Sequence, residues 1–398
     1  LHLVPARAQW PELEYDDVVE AIAEGARRRG SAWSPAATRA ATLAAAVAPL
    51  AGGLYGVLRG GPEWMLGASL ALGVAVLLTL AGVVASRAYG DAPAGSALGG
   101  YAMPYAFAGG ALLVTSGDPV GVLAPLRWLG APELLAGSVA VLLVAVLGAV
   151  GVAAGLRVFA AGTMVGLLGA LAGAGGLFLS AAGTAAILLS ALVCGVTALP
   201  LLAIRFGKLP MPPITLPTGA EAAEGFTAAS GGSLDAARER PERGRVFAAV
   251  ARTEETLTGM LIGHALLTAV AAVVLVVSGG FSGRLLVAVS AVSLLLRARL
   301  FVTLRQRVPL VTAGLTGLVV LGLALAVGSG GLAQLGLAVG GLLLALVTVV
   351  AGATWADRPP SPYLGRAADV LDTLMVISVV PVACSVLGLY AQARGLLG

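Results

Sequence analysis

Asp369 and Asp372 are the first residues whose type and spacing suggest chemistry: they stand at i and i+3, which sets both on one face of a helix. Such a pair could hold Mg²⁺ against a substrate diphosphate, as in membrane prenyl-transfer enzymes, because a hard cation takes carboxylate oxygens and leaves positions for phosphate. The competing explanation is electrostatic. Both acids fall at the expected start of the last apolar segment, where a helix N-terminus favours negative charge, and no second acidic motif answers them. His264 has no neighbouring histidine or carboxylate, so it reads as a hydrogen-bonded packing residue rather than a relay or ligand. Gln334 is similarly alone. Cys194 and Cys384 lie within apolar segments, provide neither a disulfide framework nor metal-ligand spacing, and read as small core hydrophobes. No Walker lysine, serine-hydrolase elbow or His-x-x-x-His motif appears. The chain is therefore expected to be no enzyme, to bind no cofactor or metal, and to energise nothing by itself.

The elements that would position these residues are set by composition. Of the 398 residues 58% are hydrophobic and only 11% charged, with a mean hydropathy of +0.96. Soluble domains carry about a quarter charged residues, so lipid must be the solvent. About twenty consecutive apolar residues cross a bilayer as a helix. Apolar length and polar breaks place such spans at about 38–58, 65–86, 95–116, 133–155, 157–176, 180–204, 258–278, 282–300, 308–328, 331–353 and 367–392. A membrane barrel would need short alternating segments, whereas these runs are continuous and must satisfy their backbone internally as helices. The expected fold is an all-α polytopic membrane protein with about eleven transmembrane helices.

Charge supports the odd number. With the N-terminus cytoplasmic, every one of the 24 basic residues except Arg59, Arg127, Arg284 and Arg394 falls on the cytoplasmic side. Lysine and arginine collect there in short loops. Losing one helix would reverse each later loop and destroy the asymmetry, so an extracytoplasmic C-terminus is expected. The net charge of +4 is then a topology signal, and no nucleic-acid partner is needed to explain it. None of the twenty acids is expected at mid-span, which argues against proton coupling.

The spans divide the chain into a juxtamembrane segment 1–36, helices one to six over 37–205, a cytosolic loop 206–257, and helices seven to eleven over 258–398. The first segment begins strand-like at Leu1–Val4 and continues as a short amphipathic helix around Asp16, Asp17, Val18, Val19 and Ile22. Arg27, Arg28 and Arg29 at its end suit both the helix dipole and anionic head groups. No apolar core precedes about residue 40, so a signal peptide is not expected, and Leu1 in place of methionine suggests that a preceding part of the native chain is missing. The loop opens with stiff, proline-rich sequence containing Pro210, Pro212 and Pro213. A small-residue stretch follows, Gly219–Gly232, and then charged helical sequence with Arg238, Arg240, Arg243 and Arg245 runs into span seven. Both segments are candidate docking sites for partners. Within the spans, Gly162, Gly166, Gly169 and Gly173 form one stripe, and Gly336 and Gly340 repeat its spacing. Helices can approach closely at such stripes.

The layout resembles the EccD family, the multi-spanning membrane component of the type VII secretion system. Leu3-Val4-Pro5 followed by Asp16–Ile22 is similar to the family's junction between an N-terminal ubiquitin-like domain and the first helix. Leu209–Gly219 resembles its proline-rich start of the loop between helices six and seven. Arg366–Tyr390, with acids ahead of a final apolar helix containing Pro381, resembles its last span. The departure is at the front, where only the last strand of a ubiquitin-like domain would remain. The resemblance implies a structural subunit of the bacterial plasma membrane that pairs with a second copy of itself around a lipid-lined vestibule. Its implied partners are EccB, the ATPase EccC, EccE and membrane lipids. The alternatives are a secondary transporter using neutral polar groups, or the Mg²⁺-dependent lipid or prenyl-transfer enzyme built on Asp369 and Asp372.

Overall fold

The structure, a computed structural model, describes residues 24–25, 33–64, 66–123, 126–207, 243–328, 330–355 and 361–397. All regular structure among them is helical. In chain order the long helices are α1 (Pro35–Gly60), α2 (Gly67–Arg87), α3 (Ala92–Val114), α4 (Ala131–Val152), α5 (Leu156–Gly176), α6 (Ala181–Gly207), α7 (Arg243–Ser278), α8 (Gly280–Arg297), α9 (Leu304–Gly328), α10 (Gly331–Trp355) and α11 (Pro362–Val386). A short α12 (Leu389–Leu397) follows. Eleven helices among the described residues are long and apolar enough to cross a membrane, and each overlaps one expected span, with α7 beginning well before the expected residue 258. The chain forms two compact units, Leu1–Ala51 and Gly52–Gly398.

Helix ends follow local chemistry. The Asp91 carboxylate accepts from the Ala94 N–H at 3.2 Å to start α3, and Ser180 Oγ accepts from the Gly183 N–H at 3.1 Å to start α6. Glu133 reaches back from the first turn of α4 to accept the Gly130 N–H at 3.0 Å. The α7–α8 turn needs a left-handed residue and Gly280 supplies it at φ 59°. Gly388, at φ 72°, ends α11 in the same way, so the last apolar segment is not one helix over 367–392 but α11 and a separate α12.

Within the second unit, α2, α3, α4 and α5 pack in sequence, each on the next, and α5 packs on α7. Around α7 lie α6, α8 and α9, and α11 covers α8 and α6. Two apolar cores result. Met103, Val141, Ala145, Val152 and Phe159 fill the first. Leu189, Val193, Leu261, Leu275, Leu286, Leu294, Leu310 and Val379 build the second. Gly259 and Gly263 of α7 bring the two cores together: a Cβ on Gly263 would stand 2.7 Å from the Ala161 carbonyl oxygen of α5. Unlike its neighbours, α10 has none of its span buried within the chain.

Candidate functional site

The polar centre of the second core is built on a break in α6. Its α-helical part ends at Gly195, a 3₁₀ turn covers Val196–Ala198, and the helix resumes at Leu199. Pro200 accounts for the break, because it has no N–H to give to the Val196 carbonyl; the Leu199 N–H bonds that oxygen instead. In hydrocarbon a backbone group without a partner is costly. Beside the break, two side chains from neighbouring helices approach backbone oxygens of α6. His264 Nε2 of α7 lies 3.0 Å from the Leu192 oxygen, and Arg297 of α8 donates to the Val193 oxygen at 2.6 Å. His264 is 1% exposed and Arg297 8%.

Arg297 also ties in α11. Its Nε donates to Asp372 at 3.3 and 3.4 Å to the two carboxylate oxygens, and Ser293 Oγ donates to the first of them at 3.2 Å. Arg299 pairs with Asp369 and donates to the Gly365 carbonyl at 3.2 Å. Each carboxylate of the i, i+3 pair is therefore held by its own guanidinium. Among the described residues no group of three or more His, Cys, Asp or Glu side chains could hold a metal ion. This arrangement anchors one helix to two others, and it is not the open carboxylate pair that Mg²⁺ coordination requires. The acids also sit deeper in their helix than the expected start at 367 implied. Ser361 and Pro362 begin α11, which puts Asp369 and Asp372 in its second and third turns, beyond the strongest effect of the helix N-terminus.

The glycine stripe of α5 faces α4. A Cβ on Gly166 would stand 2.6 Å from the Leu142 backbone nitrogen, one on Gly169 2.5 Å from Ser138 Oγ, and one on Gly173 2.5 Å from the Leu135 nitrogen. Gly162 meets Met103 and Ala145. Gly336 and Gly340 meet nothing within 4 Å. The pair Gly259 and Gly263, as close-packed as the α5 stripe, was not singled out from the sequence, although its four-residue spacing is the same signal.

Most expected docking residues, namely Asp16, Asp17, Arg27, Arg28, Arg29, Pro210, Pro212, Pro213, Arg238 and Arg240, lie outside the described residues. Arg243 and the exposed Arg245 fall in the first turn of α7. That helix is 36 residues long, about 54 Å at 1.5 Å per residue, against a hydrocarbon core of about 30 Å. Its first part packs on the end of α6, with Gly207 against Thr253 and with Ala203 and Ala249 buried. Phe206, Phe247 and Val250 are exposed there at 64%, 72% and 45%.

Comparison with known proteins follows the same architecture. The family model described as the EccD-like transmembrane domain matches residues 38–396. Protomer 1 of the ESX-3 core complex is similar in structure, with a TM-score of 0.68 and 18% identity over 98% of this chain and 84% of that one. A chain of the MycP5-free ESX-5 inner membrane complex in State II gives 0.60 and 19% over 89% and 79%. No curated protein sequence matches.

Proposed function

The chain belongs to the EccD family of multi-pass inner-membrane subunits of type VII secretion complexes, and we propose that its part in such a complex is structural. The observation that carries this reading is α10, an apolar span with no residue buried against the rest of the chain and with Gly336 and Gly340 facing open space. A second copy of the chain, paired so that the two enclose a lipid-lined vestibule, would use such a surface. The N-terminus faces the cytoplasm in this reading, and the C-terminus the other side. The paired ends of α6 and α7 then project into the cytoplasm with Phe206 and Phe247 exposed, as a platform for the ATPase EccC and for EccE, with EccB beside the spans. The polar groups of the core support a scaffold rather than an enzyme, since Arg297, Arg299, Asp369 and Asp372 hold helices to one another.

A transporter would use a broken helix near mid-membrane to bind its substrate. In α6 the oxygens beside the break are instead approached by His264 and Arg297, which favours the structural reading. Purification in mild detergent should return a large assembly containing an ATPase, and a cysteine placed at Gly340 should cross-link two copies. Recovery as a lone monomer, under conditions that preserve other secretion complexes, would count against the proposal, as would substrate-dependent flux in liposomes holding this chain alone.

A further inference from the structure

At the end of the spans away from the arginine-rich loops, a cavity of about 530 Å³ lies among the start of α4, the end of α5, the start of α6 and the second half of α7. Its size falls within the roughly 300–1,000 Å³ of small-molecule sites. Leu134, Leu177, Leu188 and Val274 form its walls, and Leu126 and Leu129 from the α3–α4 connection close one side. Thr184 is the one polar side chain on the wall, and its enclosed hydroxyl has no hydrogen-bond partner. Arg127, between the two roof leucines, is exposed. The nearby acids are engaged: Glu133 accepts the Gly130 N–H, and Asp118 accepts from Ser116 Oγ at 3.0 Å.

We propose that this cavity binds one acyl chain of an anionic phospholipid, with the phosphate held at Arg127. A polar solute would lose its hydration against a wall that offers a single hydroxyl, whereas a hydrocarbon chain loses nothing. Exposed apolar side chains continue the wall outward, Leu177 at 51%, Leu179 at 39% and Val270 at 49%, so the entrance is from the bilayer. An ester carbonyl at the top of the chain supplies an acceptor for Thr184. Arginine, with an apolar stem and a charged head, suits the boundary where a phosphate sits. The site is independent of whether two copies of the chain pair.

The test uses the full chain in its native membrane complex, with phosphatidylglycerol and phosphatidylcholine analogues carrying a photoreactive diazirine near the end of one acyl chain. Cross-links mapped by mass spectrometry should concentrate on residues 177–188 and 270–274, above the level on the exposed α2 side chains Leu77, Leu80 and Val84, with phosphatidylglycerol exceeding phosphatidylcholine. Ala185→Trp and, independently, Ala172→Trp should reduce the cavity signal to the α2 level while the complex is recovered in unchanged yield, which reports that the fold survives. Arg127→Glu should remove the preference for phosphatidylglycerol. Cavity labelling no higher than on α2, labelling unaffected by both tryptophans, or equal labelling by the two head groups would overturn the proposal. So would a cavity signal that emerges only after partner subunits are stripped away, since a protein segment would then be the occupant; a diazirine fatty acid labelling as strongly as phosphatidylglycerol would assign the site to free fatty acid instead.

Discussion

Removing Asp372 should cost far more stability than removing Asp369, although both acids stand on α11 one turn apart and each pairs with an arginine. Burial separates them. The side chains of Arg297 and Asp372 are 10% and 20% exposed, those of Arg299 and Asp369 29% and 71%. Asp372→Ala leaves the Arg297 guanidinium buried with the Val193 carbonyl and without its carboxylate, and stranding a buried charge costs about 3–5 kcal/mol. Because Asp372 keeps some contact with solvent, the lower end, about 3 kcal/mol, is expected. The exposed pair should contribute at most about 1 kcal/mol, so Asp369→Ala falls below that. Unfolding by SDS titration in mixed micelles, followed by tryptophan fluorescence, compares the variants under identical conditions. Arg297→Met supplies the double-mutant cycle. With both charges gone, most of the loss from Asp372→Ala should return, giving a coupling energy of about 2–3 kcal/mol. Equal losses at the two acids, or additive effects of Arg297→Met and Asp372→Ala, would refute the assignment of Arg297 as the anchor of α11.

Gly166→Ala should destabilise the chain by about 1–3 kcal/mol, because the new methyl meets the Leu142 backbone, which cannot turn aside. Gly340→Ala, facing open space, should stay within about 0.5 kcal/mol in the same titration, and equal effects would remove the distinction between packed and free glycines. His264→Leu strips the Leu192 oxygen of its side-chain partner and should cost about 1–3 kcal/mol, with His264→Gln retaining part of the bond; no loss in either variant would show that the break in α6 needs no partner there. For orientation, single cysteines replacing Ser116 and Gln306, with Cys194 and Cys384 changed to alanine, should differ towards an impermeant maleimide applied to intact cells. The first should label and the second should not, and the reverse pattern would invert the N-inside orientation.

The spans were legible because lipid permits little else: a segment that crosses it must be a continuous apolar helix, so length and polarity locate α2 or α9 within a few residues. What packs against what is a different kind of information. The α5 glycines and the α10 glycines share a spacing, yet the first set lies against α4 and Met103 of α3 and the second meets nothing. Spacing tells that a helix has a flat face, and only the rest of the fold tells whether the chain fills it. The same holds for Asp369 and Asp372. Their local sequence suits a metal-binding pair, and their partners, Arg297 at the end of α8 and Arg299 in the turn after it, come from more than sixty residues earlier. The break at Pro200 was written in span six, but its consequence, oxygens that His264 and Arg297 approach, needed two further helices. These partnerships bear on function through what they leave over. The core uses its charged groups to join α6, α8 and α11, and α10 remains with no residue buried inside the chain. A membrane subunit arranged in this way has its capacity for interaction at its outer faces, which is where assembly with other subunits and with lipid must take place.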